Sequence, residues 1–384
     1  MARKVKEAES EPETTEESFL PSKLLAWYDE NGRDLPWRVR GAHPNPYLVW
    51  VSEIMLQQTT VQTVIPYFHR FTDKFPTIES LASADIEEVL LLWQGLGYYT
   101  RAKKLHECAK AIVTDYNGIF PETYSELIKL PGIGPYTAAS ISSLAFDKPE
   151  AVVDGNVIRV IARLYSMTDP VDQIKPEIVE KAQHLMPQKR AADYTSAIMD
   201  LGATVCTPKN PKCKSCPFNS DCCALKDNLV TEIPKIVKLE KVKKSGPLFW
   251  VENESGCVYI RKRTENGLLS GLFEFPWSAG DLNAGKTEPD FPFAAGWTFT
   301  NKSVKHVFTH IQLSLEIYQT KIDNKTENSS GFKNFKNKTG GIFVAKENFK
   351  DYPFSTLMKK VIAEMEKADE MKNKKAENKT LSDF

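Results

Sequence analysis

The sequence predicts a mainly α-helical domain followed by an α+β domain. From Phe19 to about Leu225, apolar residues recur at three- and four-residue intervals, the spacing of helices that bury one face. After Gly246 the chain changes to short β-type runs divided by Gly and Asn clusters. Near the end of the helical stretch, Cys206, Cys213, Cys216 and Cys222 crowd into a Pro-, Lys- and Asn-rich segment that has little apolar surface of its own to bury.

Residues 1–17 carry six Glu against three basic residues and no aromatic side chain, which predicts a disordered acidic tail. LLAWYDE, YLVWVSEIMLQQT, VQTVIPYFHRF, IEEVLLLWQGLGYYTRAKKLHECAKAIV and YTSAIMDLGATVC then read as helices, separated by turns such as NGRDLP, FP and LPGIGP. Together they define a helical domain over 18–225. Residues 226–247, with KIVKLEKVKK inside, read as a basic polar linker. In the second domain, 248–366, LFWVE, CVYIRKR and FTHIQLSLEIYQT read as strands. DNKTENSSGFKNFKNKTGG is expected to be a mobile loop, PFSTLMKKVIAEMEK a final helix, and 367–384 a charged tail. There is no internal repeat.

With 384 residues, 41% of them hydrophobic and 26% charged, the chain has ordinary globular composition and material for two cores. No apolar run is long enough to span a bilayer, and the N-terminus does not read as a signal peptide. Seven cysteines, four of them clustered, fit a reducing cytosol better than a secreted disulfide scaffold. Lys and Arg balance Asp and Glu at 50 each, which argues mildly against a nucleic-acid partner. That argument weakens locally, because Lys209, Lys212 and Lys214 crowd the cysteine segment, and a basic face is what meets phosphates.

Three motifs carry chemistry. The order Cys-x₆-Cys-x₂-Cys-x₅-Cys is compatible with disulfides, with zinc or with an iron–sulfur cluster. LPGIGPYTAASISSLAF joins a Gly-x-Gly turn, Gly132 and Gly134, to a helix of small residues; it is either an ordinary helix–helix turn or a seat for a phosphate at a helix N-terminus. Two carboxylates complete the set. Glu53, flanked by apolar residues in VWVSEIML, either points outward from an amphipathic helix or is buried and held protonated. Asp154, in VVDGNV before a helix, is either a helix cap or an anion that faces a developing positive charge.

LPWR, WVSEIMLQQTTVQTVIPYF, WQGLGYYTRAKKL, LPGIGPYTA, DGNVIRV and MDLGATVCTPKNPKC together resemble the helix-hairpin-helix, endonuclease III superfamily of base-excision glycosylases, and within it the MutY-type adenine DNA glycosylases. The resemblance covers residues 18–225 closely and continues more loosely to about 365. It implies one 4Fe–4S cluster on Cys206, Cys213, Cys216 and Cys222, structural in role, and a C-terminal MutT/Nudix-like domain. It implies that Glu53 is the general acid, that Asp154 is the anion beside the sugar, and that Asn156 orients the site. Where relatives that also nick the strand carry a Schiff-base Lys, this chain has Tyr136, so hydrolysis without strand cleavage is expected.

The same resemblance places Trp37 and Arg38 along an adenine pocket, and Gln57, Gln58 and Tyr98 as wedges in the duplex, with Gly132 and Gly134 at the backbone. One pocket position often filled by Gln or Glu is Ser196 here. Phe308-Thr309-His310 stands where the family has Phe-Ser-His probing the oxidised guanine, while GLLSGLFEFPWSAGDL is followed by no Arg-Glu-x₂-Glu-Glu string, which argues against pyrophosphohydrolysis. The implied partner is double-stranded DNA with adenine opposite 8-oxoguanine or guanine, bound by a monomer in a bacterial cytosol. The competing expectations are another endonuclease III-like glycosylase with lyase activity, and a non-catalytic helix-hairpin-helix DNA-binding module.

Overall fold

In the computed structural model, residues 19–39, 44–237, 240–265, 267–278, 280–281 and 289–367 are described; the two expected tails lie outside them but for Lys367. The chain forms two units, and neither is a single stretch of sequence. The first combines residues up to Gln58 with Ala111–Val237; the second combines Thr59–Lys110 with Lys238 onward. The expected helical domain 18–225 is therefore divided, and one of the divisions falls inside the helix Thr100–Tyr116.

The first unit is helical. Leu20–Asn31, Pro46–Leu56, Pro135–Phe146, Gly155–Leu164, Val171–His184 and Ala191–Thr204 are its main helices. Leu24, Val157, Ile161, Tyr194, Ala197 and Leu201 meet in one buried cluster. Pro135–Phe146 is lined with Thr137, Ala138, Ser140, Ser142 and Ser143, all buried, and such small side chains let neighbouring helices approach closely. Ser143 and Thr195 share a buried hydroxyl hydrogen bond of 2.7 Å between these helices, so the polar face is not left unpaired.

The second unit holds a mixed sheet ordered β3-β2-β1-β6-β5, with β4 added to β1 and β7 to β2. The strands are β1 Val242–Asn253, β2 Val258–Lys262, β3 Phe273–Glu274, β4 Gly280–Asp281, β5 Thr298–Val307, β6 Ile311–Ile322 and β7 Ile342–Val344. β1 and β6 run parallel, from Val242 opposite Ile311 to Asn253 opposite Ile322. Leu248 to Val251 are buried in succession, as expected where both faces of a central strand are covered. One face packs Leu357, Met358 and Val361 of the helix at 356–367; the other packs Phe332.

The helices of 59–110 close onto this sheet region. Gln94 Nε2 donates to the Phe354 carbonyl at 3.0 Å, Lys103 Nζ donates to Ser270 at 3.3 Å, and Lys262 pairs with Glu87.

Three expectations need correction. The run IEEVLLLW…AKAIV is two helices, Ile86–Trp93 and Thr100–Tyr116, because Gly95, Gly97 and Tyr98 take φ of 110°, 73° and 48°. The stretch expected to be a mobile loop contains helices Asn324–Glu327 and Ser330–Thr339. Asp323 and Ser329 cap them by accepting from the Thr326 and Phe332 amides, and the fully buried Phe332 anchors the second. Residues 226–247 are also not a bare linker. Ile233 is buried in the first unit and its carbonyl accepts from Arg163 Nε at 2.9 Å, while β1 already begins at Val242.

Candidate active site and cysteine loop

Glu53 sits on Pro46–Leu56, a helix whose residues Val49 to Met55 are all buried. Its side chain is not on the outer face: the residue is 4% exposed. The hairpin helix supplies two donors one turn apart. Tyr136 Oη donates to Glu53 Oε2 at 2.9 Å and Ser140 Oγ donates to the same oxygen at 2.6 Å. Burial pushes the carboxyl up from its ordinary value and Asp154 adds to the rise; the two hydrogen bonds and Arg38 act against it without reversing it. Burial and the neighbouring carboxylates likewise hold the Tyr136 phenol protonated.

Asp154 is indeed a helix cap. Its Oδ1 accepts from the amides of Asn156 and Val157, both at 2.8 Å, at the start of Gly155–Leu164. Its Oδ2 accepts from Asn156 Nδ2 at 2.8 Å. Capping and an electrostatic role are compatible, because three hydrogen-bond donors and a helix N-terminus meet at the same carboxylate. Asn156 in turn accepts from Arg159 Nη2 at 2.8 Å, and Arg159 Nε donates to the Cys206 carbonyl at 2.7 Å. A continuous hydrogen-bond path therefore joins the carboxylate to the cysteine loop. It needs Gly202: a Cβ there would stand 2.6 Å from Asn156 Cβ.

The cysteine loop is organised by Arg163, 2% exposed, which donates to the Thr207 carbonyl at 2.8 Å and to Cys206 Sγ at 3.4 Å. Cys206, Cys213, Cys216 and Cys222 line one pocket with Val205, Pro211 and Leu225. None of the seven cysteines is in a disulfide. Among the described residues, no group of three or more His, Cys, Asp or Glu is drawn together as a single metal ion requires. Four cysteine thiols round one pocket are soft donors of the kind that hold an iron–sulfur cluster or zinc.

Arg38 and Arg33 both turn to the buried Asp200. Arg38 makes a two-pronged pair, Nη1 to Oδ2 at 2.8 Å and Nη2 to Oδ1 at 2.9 Å. Trp37 beside it is 6% exposed, and Ser196 is 5% exposed on the helix that carries Asp200. Gln57 ends the Glu53 helix and donates to Thr137 at 3.3 Å; Gln58 follows with φ of 60°. In the hairpin, Gly132 takes φ of 75°, and nothing lies within 4 Å of where a Gly134 Cβ would be, so the backbone there is open to a ligand. Glu53, Asp154, Tyr136, Asn156, Arg38, Gln57, Gln58 and both hairpin glycines all belong to the first unit.

The second unit holds the remaining expected residues. Phe308, Thr309 and His310 form the turn between β5 and β6, closed by Phe308 N donating to the Ile311 carbonyl at 2.7 Å. Lys241 Nζ donates to the Phe308 carbonyl at 3.0 Å, and Val242 N to that of His310 at 2.9 Å. Tyr98, in the same unit, hydrogen-bonds Thr309 at 2.6 Å.

Sequence reasoning missed Ser140, Arg159, Asp200 and Gly202. Only Ser140 carried a usable signal, since it follows Tyr136 by four residues and so shares its helical face.

Residues 51–187 match the family model of the HhH-GPD superfamily base excision DNA repair proteins, and 248–364 match the NUDIX domain. The adenine DNA glycosylase of Rattus norvegicus is 35% identical over 398 residues, covering 88% of this chain and 76% of that protein. The chain belongs to the adenine DNA glycosylase family. Another relative in that family, from Buchnera aphidicola subsp. Baizongia pistaciae, is 39% identical over 255 residues, covering 66% of this chain and 72% of its own. A solved thermostable thymine-DNA glycosylase is 30% identical, covers 55% of this chain and 97% of its own, and superposes with a TM-score of 0.49. Among the described residues, no helix is long and apolar enough to cross a membrane.

Proposed function

We infer that the protein is a monofunctional adenine DNA glycosylase that hydrolyses the N-glycosidic bond of adenine mispaired with 8-oxoguanine, or with guanine, in duplex DNA. One observation carries the reading: Glu53, a buried carboxyl pushed up from its ordinary value, shares the first unit with a second carboxylate, Asp154, that accepts three hydrogen bonds at the start of a helix. One carboxyl to give a proton and a second to face the cationic sugar are what cleavage of a glycosidic bond requires. A DNA-binding module without chemistry has no need of it.

Both donors to Glu53 converge on Oε2, so Oε1 is the oxygen that delivers the proton to the Hoogsteen-edge nitrogen of the extruded adenine. Protonation makes the base a competent leaving group. Asp154 stabilises the oxocarbenium character that develops in the sugar, and water completes the hydrolysis. Tyr136 offers a phenol held protonated and no amine, so no imine forms and the strand stays intact.

Cys206, Cys213, Cys216 and Cys222 hold a 4Fe–4S cluster, which when bound supplies order to the loop that bears Lys209, Lys212 and Lys214 and takes no part in the hydrolysis. Gly132 and Gly134 seat a phosphate, Gln57, Gln58 and Tyr98 enter the opened duplex, and Trp37 and Arg38 line the base pocket. Residues 248–366 form the lesion-recognition domain, in which Phe308, Thr309 and His310 test the oxidised guanine. The protein works on the DNA of the cytosol as a monomer.

The test is direct. Duplexes with adenine opposite 8-oxoguanine, guanine or cytosine are incubated with the protein, and half of each sample is then treated with alkali. Strand breaks at adenine that appear only after alkali, and chiefly opposite 8-oxoguanine, support the reading. Breaks before alkali, or release from pyrimidine mispairs alone, overturn it.

A further inference from the structure

We propose that Ser140 is a positioning residue for the proton donor: its sealed hydroxyl keeps Oε2 of Glu53 occupied, and the transferable proton on Oε1, when Tyr136 turns to the DNA. The proposal rests on the reading of Glu53 as the general acid.

The two donors to Glu53 differ in what else can reach them. Tyr136 is half-buried in the first turn of Pro135–Phe146, two residues after Gly134, where the backbone lies open. A strand seated at the hairpin can therefore engage the phenol and draw its hydrogen bond away from Glu53. Ser140 stands one turn further along and is 0% exposed, between Ala139 and Ile141, which are buried as well. A hydroxyl sealed there is out of reach of the substrate. Its bond to Oε2, at 2.6 Å, has the length of a hydroxyl donating to an ionised carboxylate, whereas the Tyr136 bond to the same oxygen is 2.9 Å.

A carboxyl oxygen that already accepts a hydroxyl proton is the poorer seat for the acid proton, so the proton is held on Oε1. The Ser140 bond also strengthens as Glu53 becomes an anion, and so helps the proton leave. Burial raises the Glu53 pKa; Ser140 is the largest influence against that rise, ahead of Tyr136. The charged groups acting on Glu53 are Asp154, from the start of Gly155–Leu164, and Arg38, from the loop before the Glu53 helix. Both act less than either hydroxyl.

The experiment is the pH profile of adenine release at saturating enzyme, which reports groups in the bound complex. In Ser140→Ala the alkaline limb, where Glu53 loses its proton, should move up by about 0.5–1 pH unit, and the plateau below it should fall a few-fold. Ser140→Cys, which fills the same space with a weaker donor, should place the limb between that variant and wild type. Tyr136→Phe should move the limb less than Ser140→Ala. In the free protein, infrared titration of the carboxyl band that Glu53→Gln lacks should show Glu53 raised by both Ser140→Ala and Tyr136→Phe. A loss uniform in pH with an unmoved limb would make Ser140 a packing residue and overturn the proposal, as would a limb moved by Tyr136→Phe alone. Should Ser140→Ala not fold, an unmoved limb in Ser140→Cys overturns it equally. Absence of adenine release by the wild type on any duplex would instead refute the proposed function, and the infrared titration would still read what Ser140 does to Glu53.

Discussion

Tyr98 and Thr309 lie 211 residues apart and share a hydrogen bond of 2.6 Å between their hydroxyls. The two residues expected to touch the damaged pair from the helical and the β-rich regions are thus already joined within one unit. Arg101 sits over the Tyr98 ring at 5.6 Å and donates to the Leu96 and Gly97 carbonyls, which steadies a backbone held at φ of 48°. Thr309 keeps the hydroxyl of the family's Ser and adds a methyl. Tyr98→Phe keeps the ring and removes the bond. Affinity for duplex with adenine opposite 8-oxoguanine should fall by roughly 0.5–1.5 kcal/mol, read by fluorescence anisotropy, while affinity for undamaged duplex stays unchanged.

Replacing Phe308, Thr309 and His310 together by Ala should cost lesion binding roughly 1–3 kcal/mol. The turn keeps its backbone bonds to Lys241 and Val242, and so should keep its shape. Single-turnover release at saturating enzyme should stay near wild type. Equal lesion affinity in the triple variant would make this turn scaffold.

Asp154→Asn separates charge from capping. Asn caps a helix about as well as Asp, so the start of Gly155–Leu164 should survive and thermal stability should change by less than about 1 kcal/mol. Base release should nonetheless collapse, because the charge beside the cationic sugar is gone. A variant that releases adenine at the wild-type rate assigns Asp154 to capping alone.

Glu53→Gln should lose release by several powers of ten while retaining lesion affinity. It should also be the more stable protein. The folded-state pKa of Glu53 lies above its ordinary 4.5, so its contribution to stability is fully present below about that pH and is lost as pH rises through the folded value. The melting-temperature advantage of the variant should therefore be smallest in acid and grow towards neutral and alkaline pH. A constant advantage, or none, contradicts the burial argument.

Tyr136→Lys places an amine where the phenol now donates to Glu53. It should pair with that carboxylate and slow adenine release. Given a duplex with an abasic site already made, the variant should yield more borohydride-trapped complex than wild type, which should yield little. Strong trapping by wild type would overturn the hydrolytic assignment.

The helical spacing from Phe19 and the strands after Gly246 were legible because burial on one face leaves a period in the sequence. Glu53 and Asp154 were legible only as alternatives, since period and turn chemistry do not say whether a carboxylate is buried or what it accepts. The break at Gly95 and Gly97 was hidden by apolar residues that continue the spacing on both sides. The helices at 324–339 were hidden by polar, Asn-rich composition, although Asp323, Ser329 and Gly340 were capping signals in plain view. The role of Asp200 was not legible from its spacing: its partners Arg33 and Arg38 are distant in sequence, and a buried ion pair looks like surface charge until the fold brings its members together.

The seam formed by Gln94, Lys103 and Glu87 with Phe354, Ser270 and Lys262 bears on how this protein can be dissected. A fragment that stops at Val237 keeps Glu53, Asp154 and all four clustered cysteines, yet strands Thr59–Lys110 without the rest of its unit. Its Gln94 amide and Lys103 ammonium must then find water, and Glu87 loses its Lys262 partner. Such a fragment needs resurfacing at those helices before it can serve as a faithful stand-in for the intact enzyme, and a lineage that shed the C-terminal half would have had to make the same repair.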